Sequence, residues 1–290
     1  MKSGLVALVG RPNAGKSTLL NHLVGEKVSI TSKKAQTTRH RVNGILTADD
    51  AQFVFVDTPG FQTKHRSRLN DRMNRSVTQS LGDVDAVVVV LEAGRTTEAD
   101  RAVIRLLPTG ASAVAALNKI DQLKDRNALL PQMAELARLF PFAALVPVSA
   151  EKNTSLDELC AVLRSALPER AALYDKDEIT DRDERFLAAE FIREKIFRLL
   201  GAEVPYATTV AIDTFVQEGD LRRIHATVYV DRSSQKAILL GENGGQMKEI
   251  ATKARTDMER MFGGKVFLEV WVRVKRGWAD DDTLLKRMGY

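Results

Sequence analysis

The stretch GRPNAGKS, Gly10–Ser17, limits the possible folds of this chain more than any other part of its sequence, because it fits the pattern G-x-x-x-x-G-K-S/T. The apolar run Leu5–Val9 precedes it and a helix-like stretch follows it. In that context glycines let backbone N–H groups surround phosphate oxygens, and the helix start adds partial positive charge. A chance match in a chain of this size has odds on the order of 1%, given the usual glycine frequency. The motif therefore predicts a nucleotide phosphate loop between a strand and a helix.

Short, nearly continuous apolar runs alternate with helix-like stretches in the first part of the chain. Strands that are buried on both faces of a parallel sheet have this pattern. The runs are Leu5–Val9, Phe53–Val56, Ala86–Leu91, Ala113–Leu117 and Leu145–Val148. We expect a sixth, antiparallel edge strand at Val42–Leu46 and a last helix from about Asn153 to Leu167, ended by Pro168. The pattern predicts an α/β, doubly wound domain over residues 1–167.

Residues 168–181 are polar and charged, and we interpret them as a linker. After them the alternation of apolar strands and helices gives way to a different order of elements. The order of the predicted elements beyond the linker is α-β-β-α-α-β, which indicates a separate α+β domain, with a C-terminal tail, over residues 182–290. Its first helix looks amphipathic and is closed by Gly201. The predicted elements are helix Phe186–Leu200, strands Ala207–Phe215 and Arg223–Val230, helices Ser234–Leu240 and Gln246–Phe262, and strand Val266–Val274.

Composition places the chain among soluble globular proteins, since 44% of its 290 residues are apolar and 28% are charged. No apolar run approaches the roughly 18 residues of a membrane span, and the N-terminus does not resemble a signal peptide. The only cysteine, Cys160, excludes an internal disulfide and favours a reducing, cytosolic compartment. Residues 1–170 carry 23 Lys and Arg against 17 Asp and Glu, and residues 171–290 carry 20 against 21. In the second part, only local basic clusters are available to hold a nucleic-acid backbone.

The choice of base is expected to depend on Asn118-Lys119-Ile120-Asp121, which follows an apolar strand. A carboxylate at Asp121 can accept two hydrogen bonds from guanine, whereas adenine offers no such donor pair. Lys119 would lie along the base, Asn118 would tie the loops together, and Ser149-Ala150 would bind the base carbonyl through the backbone. Alone, the motif equally describes a solvated loop; beside a phosphate loop it favours a guanine nucleotide.

Three side chains are candidates to hold Mg²⁺ beside the phosphates. Lys16 would reach the β- and γ-phosphates, while Ser17 would bind the metal directly. Asp57 would bind it through water, and the Gly60 N–H would sense the γ-phosphate. Thr38, with Thr37 as the alternative, would bind the metal only when GTP is present, which is the usual order–disorder switch.

Phe61 follows Gly60, where Ras-type enzymes place a water-orienting glutamine. Phenylalanine cannot orient water, so we expect slow intrinsic hydrolysis. K⁺ bound beside Asn13 is a hypothesis for the missing positive charge.

The chain resembles the Era family of translation-factor-class GTPases. The resemblance covers essentially all residues and rests on GRPNAGKSTLLN, SITSKKAQTTRHR, VDTPGF, ITDRDERFLAAEFIREKIFRLLGAEVPY and LEVWVRVKRGWADD. It implies an N-terminal GTPase domain followed by a KH domain of the α-β-β-α-α-β type, and the motifs above predict GTP or GDP with Mg²⁺ as the ligands. It further implies binding of small-subunit ribosomal RNA near its 3′ end, a role in maturing that subunit, and peripheral association with the inner face of the cell membrane. We expect a cytoplasmic monomer.

The resemblance identifies Gly241-Glu242-Asn243-Gly244 as the GXXG loop of a KH fold, which clamps the backbone of about four nucleotides. On its own G-x-x-G should occur about once per chain by chance, so its value lies in the flanking helices. Such loops usually carry a basic residue between the glycines, and this one carries Glu242. Four basic residues are candidates to compensate: Lys248, Lys253, Arg273 and Lys275.

The nucleotide-site residues predicted in full are Gly10, Arg11, Pro12, Asn13, Ala14, Gly15, Lys16, Ser17, Thr18, Thr37, Thr38, Asp57, Thr58, Pro59, Gly60, Phe61, Asn118, Lys119, Asp121, Ser149 and Ala150. Of these, Lys16, Thr38, Asp57 and Gly60 are the catalytic candidates.

The alternative function is a GTPase switch that acts at the membrane or in cell-cycle signalling through protein partners. A basic stretch, Lys64, Arg66, Arg68, Arg72 and Arg75, is either a solvated helix face or a ribosome-facing patch.

Overall fold

The computed structural model describes residues 1–61, 68–201 and 203–287; Lys64 and Arg66 of the basic stretch lie outside the described residues. The chain divides into two compact units. The first unit comprises Met1–Ser29, Thr38–Arg66 and Asn70–Asp181, and the second comprises Ile30–Thr37, Ser67–Leu69 and Arg182–Tyr290. Segment 30–37, which lies inside the sequence of the first unit, is thus counted with the second.

A six-stranded sheet forms the centre of the first unit. Its strands are β1 (Lys2–Val9), β2 (Val42–Thr47), β3 (Ala51–Asp57), β4 (Ala86–Glu92), β5 (Ala113–Asn118) and β6 (Ala144–Pro147). Their order is β2-β3-β1-β4-β5-β6. All neighbouring pairs are parallel except β2 and β3, which are antiparallel. The predicted strands, including the antiparallel edge strand, are confirmed.

Helices between the strands complete the doubly wound fold. They are α1 (Lys16–Val24), α2 (Arg68–Gly82), α3 (Glu98–Ile104), α4 (Leu129–Leu139) and α5 (Leu156–Ala166). The predicted start of α5 near Asn153 is wrong. Asn153 and Ser155 have φ of 53° and 57°, in the left-handed region that helices avoid. Thr154 instead pairs with Ser149, through N···O distances of 3.2 and 3.0 Å.

The stretch 168–181 is packed along the edge of the sheet in the first unit. Thr180 forms a backbone bridge with Gly44 of β2, and the Ile45 N–H donates to the Ile179 carbonyl at 2.9 Å. Gln52 Oε1 accepts from the backbone N–H of Leu173 at 2.7 Å. An exposed strand edge invites pairing with another chain, so this segment protects β2.

The second unit is a three-stranded sheet covered by helices. Its elements are α6 (Glu184–Leu199), β7 (Thr208–Glu218), β8 (Leu221–Val230), α7 (Ser233–Leu240), α8 (Gly245–Phe262), β9 (Lys265–Val274) and α9 (Asp282–Arg287). β8 lies in the middle, antiparallel to β7 and parallel to β9. The predicted α-β-β-α-α-β order is confirmed, whereas α9 was not expected from the sequence.

Helix α6 is buried on nearly all sides, so its interpretation as an amphipathic helix is wrong. Its apolar residues, such as Phe191 and Ile192, belong to the core of the second unit. Its charged residues Arg193 and Glu194 are also buried. Segment 30–37 covers these charges, and because it lies about 160 residues earlier in the chain, no local pattern reveals it.

Among the described residues, no helix is both long enough and apolar enough to cross a membrane.

Candidate nucleotide and RNA sites

The phosphate loop joins β1 to α1 and requires glycine at Gly15. This residue has φ of 100°, and a Cβ there would lie 2.2 Å from the side-chain nitrogen of Asn118. The loop also has a left-handed residue at Asn13, with φ of 64°. The tight turn therefore brings the start of α1 against the strand that carries the base-reading motif.

Lys16 closes over the phosphate loop. Its ammonium donates to the carbonyls of Gly10 and Arg11 at 3.0 and 3.1 Å, and the side chain is buried. Burial lowers the pKa of Lys16 to about 8, although the charge of Asp57 opposes this shift. The ammonium is thus held over the part of the loop where phosphate oxygens would lie.

Hydroxyl groups from three parts of the first unit converge on the carboxylate of Asp57. Ser17 Oγ donates to Asp57 Oδ2 at 2.7 Å, and Thr38 Oγ1 lies 2.7 Å from Ser17 Oγ and 3.4 Å from the same carboxylate oxygen. Ser29 Oγ donates to that oxygen at 2.8 Å. The structure therefore brings together Ser17, Thr38 and Asp57, and adds Ser29, which the sequence did not single out.

This cluster fits a magnesium ion. Asp57 is fully buried, yet its Oδ1 has no hydrogen-bond partner among the described residues. Burial raises the pKa of Asp57, while Lys16 and the three hydroxyl groups oppose the shift. An unsatisfied buried carboxylate oxygen is costly, and a hard cation or its bound water would satisfy it. Hydroxyl and carboxylate oxygens are ligands that Mg²⁺ prefers.

Thr37 faces its own turn instead of this cluster. Its Oγ1 donates to the Lys34 carbonyl at 2.6 Å and lies 2.8 Å from Ser32 Oγ. These contacts lie within segment 30–37 of the second unit, whereas Thr38 belongs to the first unit. The geometry favours Thr38 over Thr37 as the metal ligand.

The residues after Asp57 pack against the phosphate loop and the core. Thr58 Oγ1 donates to the Leu8 carbonyl at 2.8 Å. A Cβ at Gly60 would lie 2.8 Å from the backbone of Pro12, so only glycine allows this approach. Phe61 packs against the apolar core of the first unit, and its ring offers no group that orients water.

Asn118 connects the three loops at the base-binding end. Its Nδ2 donates to the Ala14 carbonyl at 2.9 Å. Its Oδ1 accepts from the N–H groups of Lys119 and Ala150, at 2.8 and 2.9 Å. Lys119 has φ of 70°, which bends the chain sharply after β5.

Asp121 is exposed, and its Oδ1 accepts from Ser149 Oγ at 2.5 Å. The backbone N–H groups of Ser149 and Ala150 donate within the protein, to Thr154 and Asn118 respectively. A guanine carbonyl at this loop would therefore compete with internal acceptors for these donors.

Glu92 is a further residue of this site that sequence reasoning missed. Arg11 donates to its carboxylate, and Lys119 Nζ lies 3.7 Å from it. Burial alone would raise the pKa of Glu92, but the Arg11 hydrogen bond and the charges of Lys119 and Arg11 lower it overall. Glu92 pairs in register with Asn118 across β4 and β5. Its position at the end of an apolar strand is the sequence signal that could have identified it as a site residue.

In the second unit, the loop Gly241–Gly244 joins α7 to α8, and three of its four residues have positive φ. Gly241, Asn243 and Gly244 have φ of 68°, 49° and 76°. A Cβ at Gly241 would lie 2.6 Å from the Cβ of Gln246, whereas the space around Gly244 is open. The side chain of Glu242 is exposed at the tip.

The four basic candidates differ in their surroundings. Lys248 and Arg273 are exposed. Lys253 pairs with Glu249 at 2.7 Å, and Lys275 pairs with Asp281 at 3.0 Å. Exposed ion pairs are weak, so both lysines remain exchangeable partners for phosphate.

Comparisons with known proteins agree with this two-part organisation. The profile of the 50S ribosome-binding GTPase family matches residues 5–119, and that of the KH domain matches residues 203–279. The GTPase Era of Nitrosomonas eutropha is 57% identical over 100% of this chain and 98% of its own length. That of Chromobacterium violaceum is 55% identical over 99% of this chain and 97% of its own length.

The chain belongs to the Era family of GTPases. Its enzymatic activity is the hydrolysis of GTP to GDP and phosphate, with Mg²⁺ as the cofactor.

Two solved Era structures share the whole fold. A variant of Aquifex aeolicus Era bound to GDP and AlF₄⁻ superimposes with a TM-score of 0.96 at 37% identity, covering 100% of this chain and 99% of that one. An Era complex with MgGDPNP and nucleotides 1506–1542 of 16S ribosomal RNA also gives 0.96, at 36% identity and the same coverage. The fold class predicted from the sequence, a doubly wound GTPase domain followed by a KH domain, is confirmed.

Proposed function

We propose that this Era-family protein is a GTP-dependent switch that binds the 3′ region of small-subunit ribosomal RNA and assists maturation of the small subunit. One observation carries the proposal: a guanine-nucleotide site and a GXXG loop between two helices occur in separate units of the same chain. The Era structure that holds both MgGDPNP and 16S RNA supports it, because the same two-unit fold binds both ligands there.

In the nucleotide site, we assign Ser17, Thr38 and Asp57 to the metal, on the basis of their contacts and the unsatisfied Asp57 oxygen. Bound Mg²⁺ supplies positive charge against the β- and γ-phosphate oxygens. Lys16 adds a second positive charge at the phosphate loop, and the Gly60 N–H binds the γ-phosphate. When that phosphate leaves, the Gly60 N–H loses its acceptor and Thr38 no longer holds the metal, which releases the loops on both sides.

At the base-binding end, Asp121 reads guanine while Asn118 holds the loops in place. Lys119 lies along the base, and Ser149-Ala150 bind its carbonyl in competition with their internal acceptors, Thr154 and Asn118. Phe61 contributes no water-orienting amide, so intrinsic turnover is slow. K⁺ beside Asn13 is our proposal for the missing positive charge during hydrolysis.

RNA binding is assigned to Gly241–Gly244 with Lys248, Lys253, Arg273 and Lys275. We assign residues 1–167 to the nucleotide domain, 168–181 to the linker and 182–290 to the KH domain with its tail. The hydrogen bonds of the linker to β2 support a boundary between the units near residue 181. We further propose that the protein is a cytoplasmic monomer that associates peripherally with the inner face of the cell membrane.

A direct test measures binding to a 16S fragment that spans nucleotides 1506–1542, with GDPNP or GDP bound, against a shuffled fragment of equal length. We expect tighter binding of the native fragment, and more so with GDPNP. Because one matching profile is named after the 50S subunit, isolated 30S and 50S subunits form a second pair. Equal binding to native and shuffled RNA, or a preference for 50S, would contradict the proposal.

A further inference from the structure

Segment 30–37 is fixed to helix α6 at three points, all within the second unit. The first point is Thr31. Its N–H donates to Glu194 Oε1 at 3.0 Å, and its carbonyl accepts from Arg198 Nε at 2.9 Å. Arg198 also donates to the Thr31 hydroxyl at 2.6 Å. Both backbone groups of Thr31 are thereby satisfied by side chains of α6.

The second point is Lys34, which binds the C-terminal end of α6. Its ammonium donates to the Phe197 carbonyl at 2.6 Å and also to the Leu200 carbonyl. The last carbonyls of a helix have no partner inside the helix and carry partial negative charge. Lys34 therefore serves as a C-terminal cap supplied by a distant part of the chain.

The third point is Arg193, whose side chain is only 1% exposed. Its guanidinium binds Glu190 through two hydrogen bonds, at 2.7 and 2.6 Å. The guanidinium also donates from Nη2 to the carbonyl of Thr37, and its Nη1 lies 3.5 Å from the carbonyl oxygen of Gln36. The two hydrogen bonds to Glu190 fix the orientation of the guanidinium group. The guanidinium in turn holds the backbone carbonyls of residues 36 and 37 in place.

Of the three points, only the third holds the residue that directly precedes Thr38. The boundary between the units falls at the peptide bond between Thr37 and Thr38. Thr38 is the residue whose hydroxyl contacts Ser17 and Asp57. A group that fixes the carbonyl of Thr37 therefore restricts where the next residue can place its side chain, and misplacing a ligand by about 1 Å is enough to affect a site strongly.

We propose that Arg193 is a positioning residue for the metal-binding Thr38, acting through the backbone carbonyl of Thr37. This inference rests on the proposed function. With Arg193 in place, the Thr37 carbonyl is held and Thr38 is presented to the metal. Without it, the loop has more conformations available, which penalises the GTP state, since only that state uses Thr38.

The test compares Arg193→Gln with Arg198→Gln. Arg198 binds the same segment from the same helix, but at Thr31, seven residues before Thr38. We expect Arg193→Gln to lower the affinity for GDPNP about 10-fold, a typical size for such coupling, and to leave GDP affinity at the wild-type value. Arg198→Gln should keep the wild-type ratio of the two affinities.

Removing Arg193 takes two hydrogen bonds away from the buried carboxylate of Glu190, and the loss of one partner of a buried ion pair destabilises a protein strongly. The double variant Arg193→Gln with Glu190→Gln removes both charges, and a thermal melt checks its fold. If this variant is folded and retains the wild-type ratio of GDPNP to GDP affinity, Arg193 does not position Thr38. If the wild-type protein itself shows no preference for the 16S fragment, the proposed function fails, and the nucleotide ratio still decides the role of Arg193.

Discussion

The side-chain amide of Asn118 donates to the carbonyl of Ala14 at 2.9 Å, across 104 residues of sequence. Its oxygen accepts from Ala150 on a third loop. The loop that holds phosphate and the loops that read the base are therefore joined by one buried side chain.

From this contact we expect Asn118→Ala to weaken GTP and GDP binding by the same factor, roughly 10-fold or more. A buried partner that is left unsatisfied costs about 1–3 kcal/mol, and the lost contacts do not involve the γ-phosphate. Titration with fluorescent analogues of both nucleotides measures the effect. Asn127→Ala, on an exposed loop, is the control. A loss confined to GTP would show that Asn118 acts at the phosphates instead.

The second prediction concerns the choice of base. Asp121→Asn should lower GTP affinity and raise affinity for xanthosine triphosphate, because an amide donates where the carboxylate accepted. The substitution keeps an oxygen that can accept from Ser149, so the loop should retain its shape. Competition between the two nucleotides measures the preference. A variant that still prefers GTP would remove Asp121 from its assigned role.

The third prediction concerns the rate of hydrolysis. If K⁺ binds beside Asn13, turnover should be faster in K⁺ than in Na⁺, and Asn13→Ala should abolish the difference. Phosphate release is followed in both salts at equal ionic strength, for wild type and variant. Equal rates in all four assays would dismiss a role for K⁺.

The fourth prediction uses two glycines that share a backbone conformation. Gly244 and Gly263 have φ of 76° and 67°, and a Cβ would meet open space at both. Gly244→Asp and Gly263→Asp therefore carry a similar conformational strain. Only Gly244→Asp places a negative charge in the GXXG loop, so it alone should abolish binding of the 16S fragment. GTP binding should persist in both variants, and equal loss of RNA binding would point to damage of the fold.

Glu242→Lys should act in the opposite direction. An exposed carboxylate at the loop tip repels phosphate, and a lysine would attract it. Each newly neutralised phosphate adds about −0.7 to the slope of log affinity against log salt on a single strand. RNA affinity at several salt concentrations measures this slope. If affinity and slope both stay at wild-type values, the tip of the loop does not face phosphate.

The sequence predicted the strands of the first unit because strands buried on both faces are continuous apolar runs, as in Ala86–Glu92. It also placed the phosphate and base motifs at the ends of those strands. The contacts of Ser29 and Glu92 were missed, since polar residues that meet across the fold leave no periodicity in the chain. The burial of Arg193 was missed for the same reason, because segment 30–37 covers it from far away in the sequence.

The packing of residues 168–181 against the sheet has a consequence for how the chain folds as it is synthesised. The Ser3 N–H donates to the Pro168 carbonyl at 3.1 Å, and Thr180 bridges to Gly44. Strands β1 and β2 are synthesised early, but their hydrogen bonds to residues 168–181 form only after that segment has left the ribosome. Contacts so distant in sequence form slowly, and until then the nascent chain has its β2 edge uncovered, in the period when a growing polypeptide is most prone to aggregate.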